Sequence, residues 1–331
     1  MKVIFTKKYL IHILFLVLLL VAGCSGPKTS KAPELTEGLA AAMVPNMPLD
    51  GYLFVRQSQP IIVPLTLLGA PAGVPIPGLP SGITIQSVEI WILPNESTEI
   101  IGAVVTFPSA QDASNLFSLI PNRNELWKYL AANNIFFVMG SGSGAEALKN
   151  AITARQFVSL ATAAPDAWDL MQRFPGQPAT KPLAVGFVRM EDRLFAFIQK
   201  YAKGSFNEGT VSALKMAKVE MAAVAMYSNK VLQATDLLSP ANLKNAGLGG
   251  IMIAKSSYPG FAISAALGPL ASRLSLDKTD IDGKSAYYRA MDVPGGEKVH
   301  LLFNNSGQYI YAAASANLER TQQLYRWVWG Q

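Results

Sequence analysis

Residues 133–152 read NNIFFVMGSGSGAEALKNAI. An asparagine pair suited to a turn leads into an apolar aromatic run, IFFVM, and a glycine-rich step opens GAEALKNAI, a helix. The same succession recurs at residues 304–328, as Asn304-Asn305, then QYIYAAA, then NLERTQQLYRWV. Two earlier landmarks repeat as well. Pro48-Leu49 leads into Tyr52-Leu53-Phe54-Val55-Arg56, and Pro182-Leu183 leads into Gly186-Phe187-Val188-Arg189. Val88-Glu89-Ile90 follows the first pair and Val219-Glu220-Met221 the second, each opening an apolar strand. Four landmarks in one order point to a diverged internal duplication, with extra residues in the middle of the second half.

The elements between the landmarks define the class. ITIQSVEIWIL and EIIGAVVTF read as two strands around the polar turn PNEST. Ser109 and Asp112 make a capping pair, and Ala113, Leu116, Phe117 and Ile120 then share one helix face before Pro121. Leu194, Ile198 and Tyr201 make a similar face, ended by Lys200, Lys203 and Gly204. GIMIAKSSYPGFAISAAL reads as strand, turn, strand. SAYYRAMDV, KVHLLFNN and QYIYAAA read as successive antiparallel strands. VEMAAVAMYSN has helix-forming composition, but its place in the repeat predicts a strand. The expected fold is α+β: two related units, each a mainly antiparallel sheet with helices packed on one face. The units span residues 47–165 and 182–331, joined by a connector at 166–181.

Between Arg56 and Glu89 there is no charged residue, and Pro60, Pro64, Pro71, Pro75, Pro77 and Pro80 exclude a regular helix. This stretch is either an extended loop laid over the core or a lip over an apolar ligand or membrane. The lip candidates are Ile61, Ile62, Leu65, Leu67, Leu68, Val74, Ile76 and Leu79.

Cys24 is the only cysteine in 331 residues. Before it stand a basic start with Lys2, Lys7 and Lys8, then an uncharged apolar core from Leu10 to Leu20, the parts of a secretory signal. That core is short for a membrane span of ~20 residues. Val21-Ala22-Gly23-Cys24 resembles the lipobox of bacterial lipoproteins. The resemblance covers residues 1–24 and implies a signal peptide over 1–23, cut before Cys24, whose thiol carries lipid, palmitate among the chains. More than one chain is needed for stable anchoring, and the family's multiple acylation meets that need. Residues 24–46, polar and Pro/Gly-bearing at first, read as the acylated cysteine and a flexible tether. The expected location is the cell envelope, on the extracytoplasmic face of a bacterial membrane.

Removing the three leader lysines from 28 leaves 25 basic against 22 acidic residues, a net +3 with no basic stripe, so nucleic acid is not an expected partner. With its one thiol acylated, the exported part has neither disulfide nor thiolate. His300 is its only histidine, which excludes sites built on two or three histidines in one chain. No G-x-S-x-G elbow accompanies it, and in KVHLLF it reads as a partly exposed strand residue.

Other motifs fail in detail. GSGSGA at 140–145 fits the dinucleotide loop G-x-G-x-x-A, but no acid ends a second strand about twenty residues on. The second half has AAASANLE there, so a strand-to-helix turn is the favoured reading. Ser212-Ala213-Leu214-Lys215 fits S-x-x-K, as do Ser25 with Lys28 and Ser275 with Lys278. The partner K-T-G is absent, with Lys278-Thr279-Asp280 the nearest approach, and Ser315-Ala316-Asn317 falls in the wrong order. Asp277, Asp280, Asp282 and Gly283 suggest calcium, yet Lys278 and Arg289 would occupy positions that need carboxylates. A polar turn explains them. Glu89 and Glu220 are the carboxylates to inspect as a hydrolytic pair, although solvent-facing alternation is the simpler reading. The helix ending YRWVWGQ places Leu318, Thr321, Leu324, Tyr325 and Val328 on one face, with Trp327 and Trp329 clamping the terminus.

No metal or cofactor is expected. The sequence favours a non-catalytic binding or assembly role at the envelope, its partner an envelope protein. A carrier of a lipid or other apolar ligand, and a hydrolase using carboxylates or Ser with Lys, stand as alternatives.

Overall fold

The computed structural model describes residues 44–46, 53–57, 61–64, 82–93, 100–120, 126–174, 183–189, 217–228, 247–273, 276–292 and 298–329. In chain order the first part holds β1 (Val44–Pro45), β2 (Leu53–Gln57), β3 (Ile61–Pro64), β4 (Gly82–Ile85), β5 (Ser87–Leu93), β6 (Ile100–Thr106) and α1 (Ala110–Leu119). β7 (Leu126–Ala131), β8 (Asn134–Met139), α2 (Ser143–Thr153), β9 (Phe157–Val158), α3 (Leu160–Ala163) and α4 (Pro165–Met171) follow. The later part holds β10 (Ala184–Arg189), β11 (Val219–Tyr227), β12 (Gly249–Ser256), α5 (Gly260–Arg273), β13 (Asp277–Ile281), β14 (Lys284–Asp292), β15 (Lys298–Ser306), β16 (Tyr309–Ser315) and α6 (Leu318–Trp329).

Twelve strands form one sheet in the order β13-β14-β15-β16-β12-β11-β10-β2-β5-β6-β8-β7, with antiparallel pairing throughout. β1 pairs with β9 and β3 with β4, each antiparallel. The chain is α+β with mainly antiparallel sheet, as its strand patterns predict. From the central pair β2 and β10, one wing runs outward as β2-β5-β6-β8-β7. The other runs β10-β11-β12-β16-β15 and continues into β14 and β13. β11 is a strand, the choice the repeat favoured over composition.

The helices do not share one face, contrary to expectation. Phe136 and Val138 of β8 join Ala145, Leu148 and Ile152 of α2 in the large core. Ile135 of the same strand lies with Ala113 and Leu116 of α1 in a second core, where Phe137 also packs. Side chains alternate along a strand, so α1 and α2 cover opposite faces. In the other wing α6 packs Leu324, Tyr325 and Val328 on the face of Ile251, Ile253 and Leu302. α5 instead reaches Asn305, three residues from Leu302 and so on the alternate face; the Asn305 side-chain amide donates to the Gly260 carbonyl at 3.2 Å. The physical reason lies in IFFVM itself. A strand apolar at every position must be buried on both faces.

Two further readings are corrected. Of GIMIAKSSYPGFAISAAL, only the start is strand; from Gly260 on it is helix α5. Ile263, Leu267 and Ala271, spaced four apart, are all buried, which is a helical and not an alternating face. Asn304 and Asn305 are strand residues, and the turn after them is Gly307-Gln308, between the paired Ser306 and Tyr309. In the first wing Asn133 does lie in the turn, and its side chain donates to the Phe107 carbonyl at 2.7 Å.

The expected cap on α1 forms, whereas the tether and connector stretches are in part packed. The Ser109 hydroxyl accepts from the Asp112 amide at 3.1 Å and caps α1. α4 begins one residue before the expected connector and packs Ala167, Leu170 and Met171 across β10, β11 and β12. Arg189 of β10 clips it down, with two bonds to Asp166 at 2.6 and 2.7 Å. Val44, placed by sequence in the tether, is fully buried beside β9. The faces expected from Leu194 to Tyr201, the PNEST turn and Lys200, Lys203 and Gly204 lie outside the described residues.

Candidate functional site

The chemistry-bearing motifs resolve into structural parts. In GSGSGA, Gly140 and Gly142 adopt φ of 124° and 89°, and a Cβ on Gly144 would stand 2.7 Å from the Ile100 Cδ1. Backbone geometry and helix–strand contact account for these glycines. Ser315 is buried, accepts from the Asn317 amide at 2.8 Å and donates to the Asn317 carbonyl at 2.7 Å, turning the chain into α6. Ser212 with Lys215, Ser25 with Lys28, and Ser275 lie outside the described residues.

The aspartates form a hairpin turn. Asp282 and Gly283 have φ of 54° and 78° between the paired Ile281 and Lys284, and the Asp280 carboxylate accepts from the Gly283 amide at 2.7 Å. Asp282 also accepts from Arg326 of α6 at 2.6 Å. Among the described residues no group of three or more His, Cys, Asp or Glu could hold a metal ion.

Glu89 and Glu220 do not converge. Glu220 is exposed, but Glu89 is only 2% exposed and faces the core side of β5, which corrects the solvent-facing expectation. Register runs Glu89, Arg56, Val185, Ala225 across four strands, and Glu220 lies five residues further along β11. Three strand spacings of ~4.8 Å and that offset separate the two carboxylates by about 20 Å. A glycosidic pair needs roughly 5–9.5 Å.

His300 is half-buried on β15. Its Nδ1 and the Tyr288 hydroxyl are 2.7 Å apart, and the two rings stack at 6.0 Å. Burial, reinforced by the Lys298 charge, lowers its pKa from the ordinary histidine value.

The final helix does clamp the terminus. Trp327 meets Tyr227 edge-on at 6.0 Å, and Trp329 stacks on Tyr325 at 5.7 Å. Leu318 is 38% exposed, outside the buried face expected for it. The hydroxyls of Tyr227 and Tyr325 and the indole N–H of Trp327 are buried without a hydrogen-bond partner, and burial raises both phenol pKa values.

Of the lip candidates, Ile61 and Ile62 lie on β3 opposite Ile85 and Thr84. Leu65, Leu67, Leu68, Val74, Ile76, Leu79 and Cys24 lie outside the described residues.

The feature that sequence reasoning missed is the pair of sheet edges, which differ. β13 ends one side with Asp277, Lys278 and Asp280 all exposed, the charged dress that discourages further pairing. β7, LWKYLA, ends the other side, and among the described residues it pairs with β8 alone. Its one charge, Lys128, is turned inward. The ammonium donates to the carbonyls of Phe117 and Ile120 at 3.1 and 2.5 Å and lies 4.4 Å from the Phe117 ring centre. There it caps the end of α1. On the opposite face Trp127 stacks on Tyr129 at 5.8 Å, Tyr129 meets Phe136 at 6.4 Å, and Phe136 stacks on Phe157 at 5.7 Å. An edge strand exposes unpaired N–H and C=O groups on alternate residues. Among the described residues β7 therefore combines an unpaired outer edge with a half-buried aromatic row. The short alternation LWKYL before a turn marks a strand in the sequence but not its place at the edge.

No protein-family model, curated protein or solved structure matches the chain. Among the described residues no helix is long and apolar enough to cross a membrane.

Proposed function

We propose that the chain is an exported lipoprotein, held by acylated Cys24 on the extracytoplasmic face of a bacterial membrane, with a non-catalytic binding or assembly role. The anchor rests on the signal and lipobox residues. The binding role is carried by one observation: among the described residues β7 is an unpaired sheet edge without the protective charges of β13. Supporting it, among the described residues the His300 ring bonds with Tyr288, Ser315 holds the turn into α6 and Asp166 is paired with Arg189.

We infer further that the two wings are diverged copies. The outward orders β2-β5-β6-β8-β7 and β10-β11-β12-β16-β15 correspond strand for strand. A helix follows the third strand of each (α1, α5) and another ends each (α2, α6). On this reading β13 and β14 are the extra residues of the second half.

The test is site-specific photo-crosslinking of the full chain in its membrane, with benzophenone groups at exposed positions around the sheet. A single envelope protein joined at a defined patch supports the binding role. A native mass carrying a stoichiometric apolar adduct, with no protein crosslink, favours the carrier alternative instead.

A further inference from the structure

We propose that the open edge of β7 takes up an extended strand from a partner protein, antiparallel to β7 and bearing aromatic side chains. This rests on the reading of the wings as copies. In that correspondence β7 matches β15, and the structure shows what lies along the outer edge of β15: the nine-residue strand β14, antiparallel.

The chemistry of that contact is specific. Tyr287 stands directly opposite Phe303, their rings stacked at 5.6 Å, and Tyr288 stands opposite Leu302 with its ring on His300. Consecutive tyrosines thus cover both faces of the edge. β7 offers the complement. Trp127 and Tyr129 form a flat stack on one face, and directly opposed aromatic pairs are among the favourable cross-strand contacts. On the other face Leu130 packs against the core under α1.

Charge also restricts the occupant. Lys128 is already satisfied by the carbonyls of Phe117 and of Ile120 at the end of α1, so among the described residues β7 itself presents no free ammonium for an acidic peptide. A strand with an uncharged, aromatic centre like SAYY of β14 fits, bound through backbone hydrogen bonds with side-chain stacking for selectivity, as in strand addition generally. Such a strand extends the existing sheet without rearranging it.

The test uses the detergent-solubilised full chain and a fluorescent peptide with the sequence of residues 284–292, KSAYYRAMD. The expected result is saturable binding, weakened about tenfold or more by replacing both peptide tyrosines with serine or by Trp127→Ala. Since Trp127→Ala can also disturb folding, hydrogen exchange on the unaltered chain provides the second readout. Peptide should slow exchange in residues 126–131 and leave 277–281 unchanged. Absence of saturable binding, or protection elsewhere, overturns the proposal. So does a free chain that is already dimeric with residues 126–131 protected, because the occupant is then a second copy. A chain that ignores the peptide yet crosslinks to an envelope protein through another surface loses this inference and keeps its binding role.

Discussion

Phe54 of β2 and Phe187 of β10 are direct register partners across the centre of the sheet. They also hold like places in the two similar stretches YLFVR and GFVR. On the proposed reading of the wings as copies, this pair marks the place where one unit joins the other. The large core crosses that joint, from Trp91 and Leu148 on one side to Tyr227 and Leu324 on the other.

The wings should therefore unfold together. Urea denaturation followed by tryptophan fluorescence and by far-UV circular dichroism should give one coincident transition. Phe187→Ala, at a fully buried site, should cost ~3–5 kcal/mol and shift both signals alike. Two separated transitions would mean that the joint carries little of the stability.

Close backbone approach makes two glycines irreplaceable. A Cβ on Gly260 would stand 2.6–2.8 Å from the Gly307 backbone, and one on Gly102 would meet Trp91 at 2.7 Å and Leu148 at 2.8 Å. Gly260→Ala and Gly102→Ala should each destabilise by ~1–3 kcal/mol through overpacking. Gly268→Ala, with nothing within 4 Å of its Cβ, is the control and should be neutral or slightly stabilising.

The buried phenols give a prediction of opposite sign. The hydroxyls of Tyr227 and Tyr325 have no hydrogen-bond partner, so each carries a desolvation cost of ~1–3 kcal/mol without return. Tyr227→Phe and Tyr325→Phe should leave the melting temperature unchanged or raise it. A clear fall for either would show that its hydroxyl is bonded in solution, by water or by a bound molecule.

Acid should weaken the β14–β15 region first through His300. Its folded pKa lies below the unfolded value near 6.5, so the unfolded chain takes up the proton first. The stabilisation from neutral His300 is whole above pH ~6.5 and is lost as pH falls through the depressed folded value. His300→Gln should flatten the melting temperature between pH ~7 and ~5. Asp166, held below the usual carboxylate range by its hydrogen bonds with Arg189, acts in a separate window below pH ~3.8. An unchanged slope in the variant would remove His300 from the account.

Local signals carried most of the strands and the capped helix α1, because alternation and capping act within a few residues. β11 is a strand, as expected from its place in the sequence pattern and against its Ala and Met composition. The helix α5 was not legible, because Gly268-Pro269 and the Ile and Phe content of the preceding stretch disguised it. The two-faced burial of β8 was legible in IFFVM, whose run lacks any polar alternation. The open edge was not. Which strand stands last in a sheet is decided by non-local pairing, and LWKYLA reads the same at an edge or in the middle.

The intact mass of the chain extracted from the membranes of a bacterial host is the most direct test of the anchored-lipoprotein account. The account predicts a chain that begins at Cys24 and carries diacylglycerol and further acyl mass, with Cys24→Ser retaining its leader and losing the lipid. A chain still beginning at Met1, or one cut elsewhere and free of lipid, would contradict it.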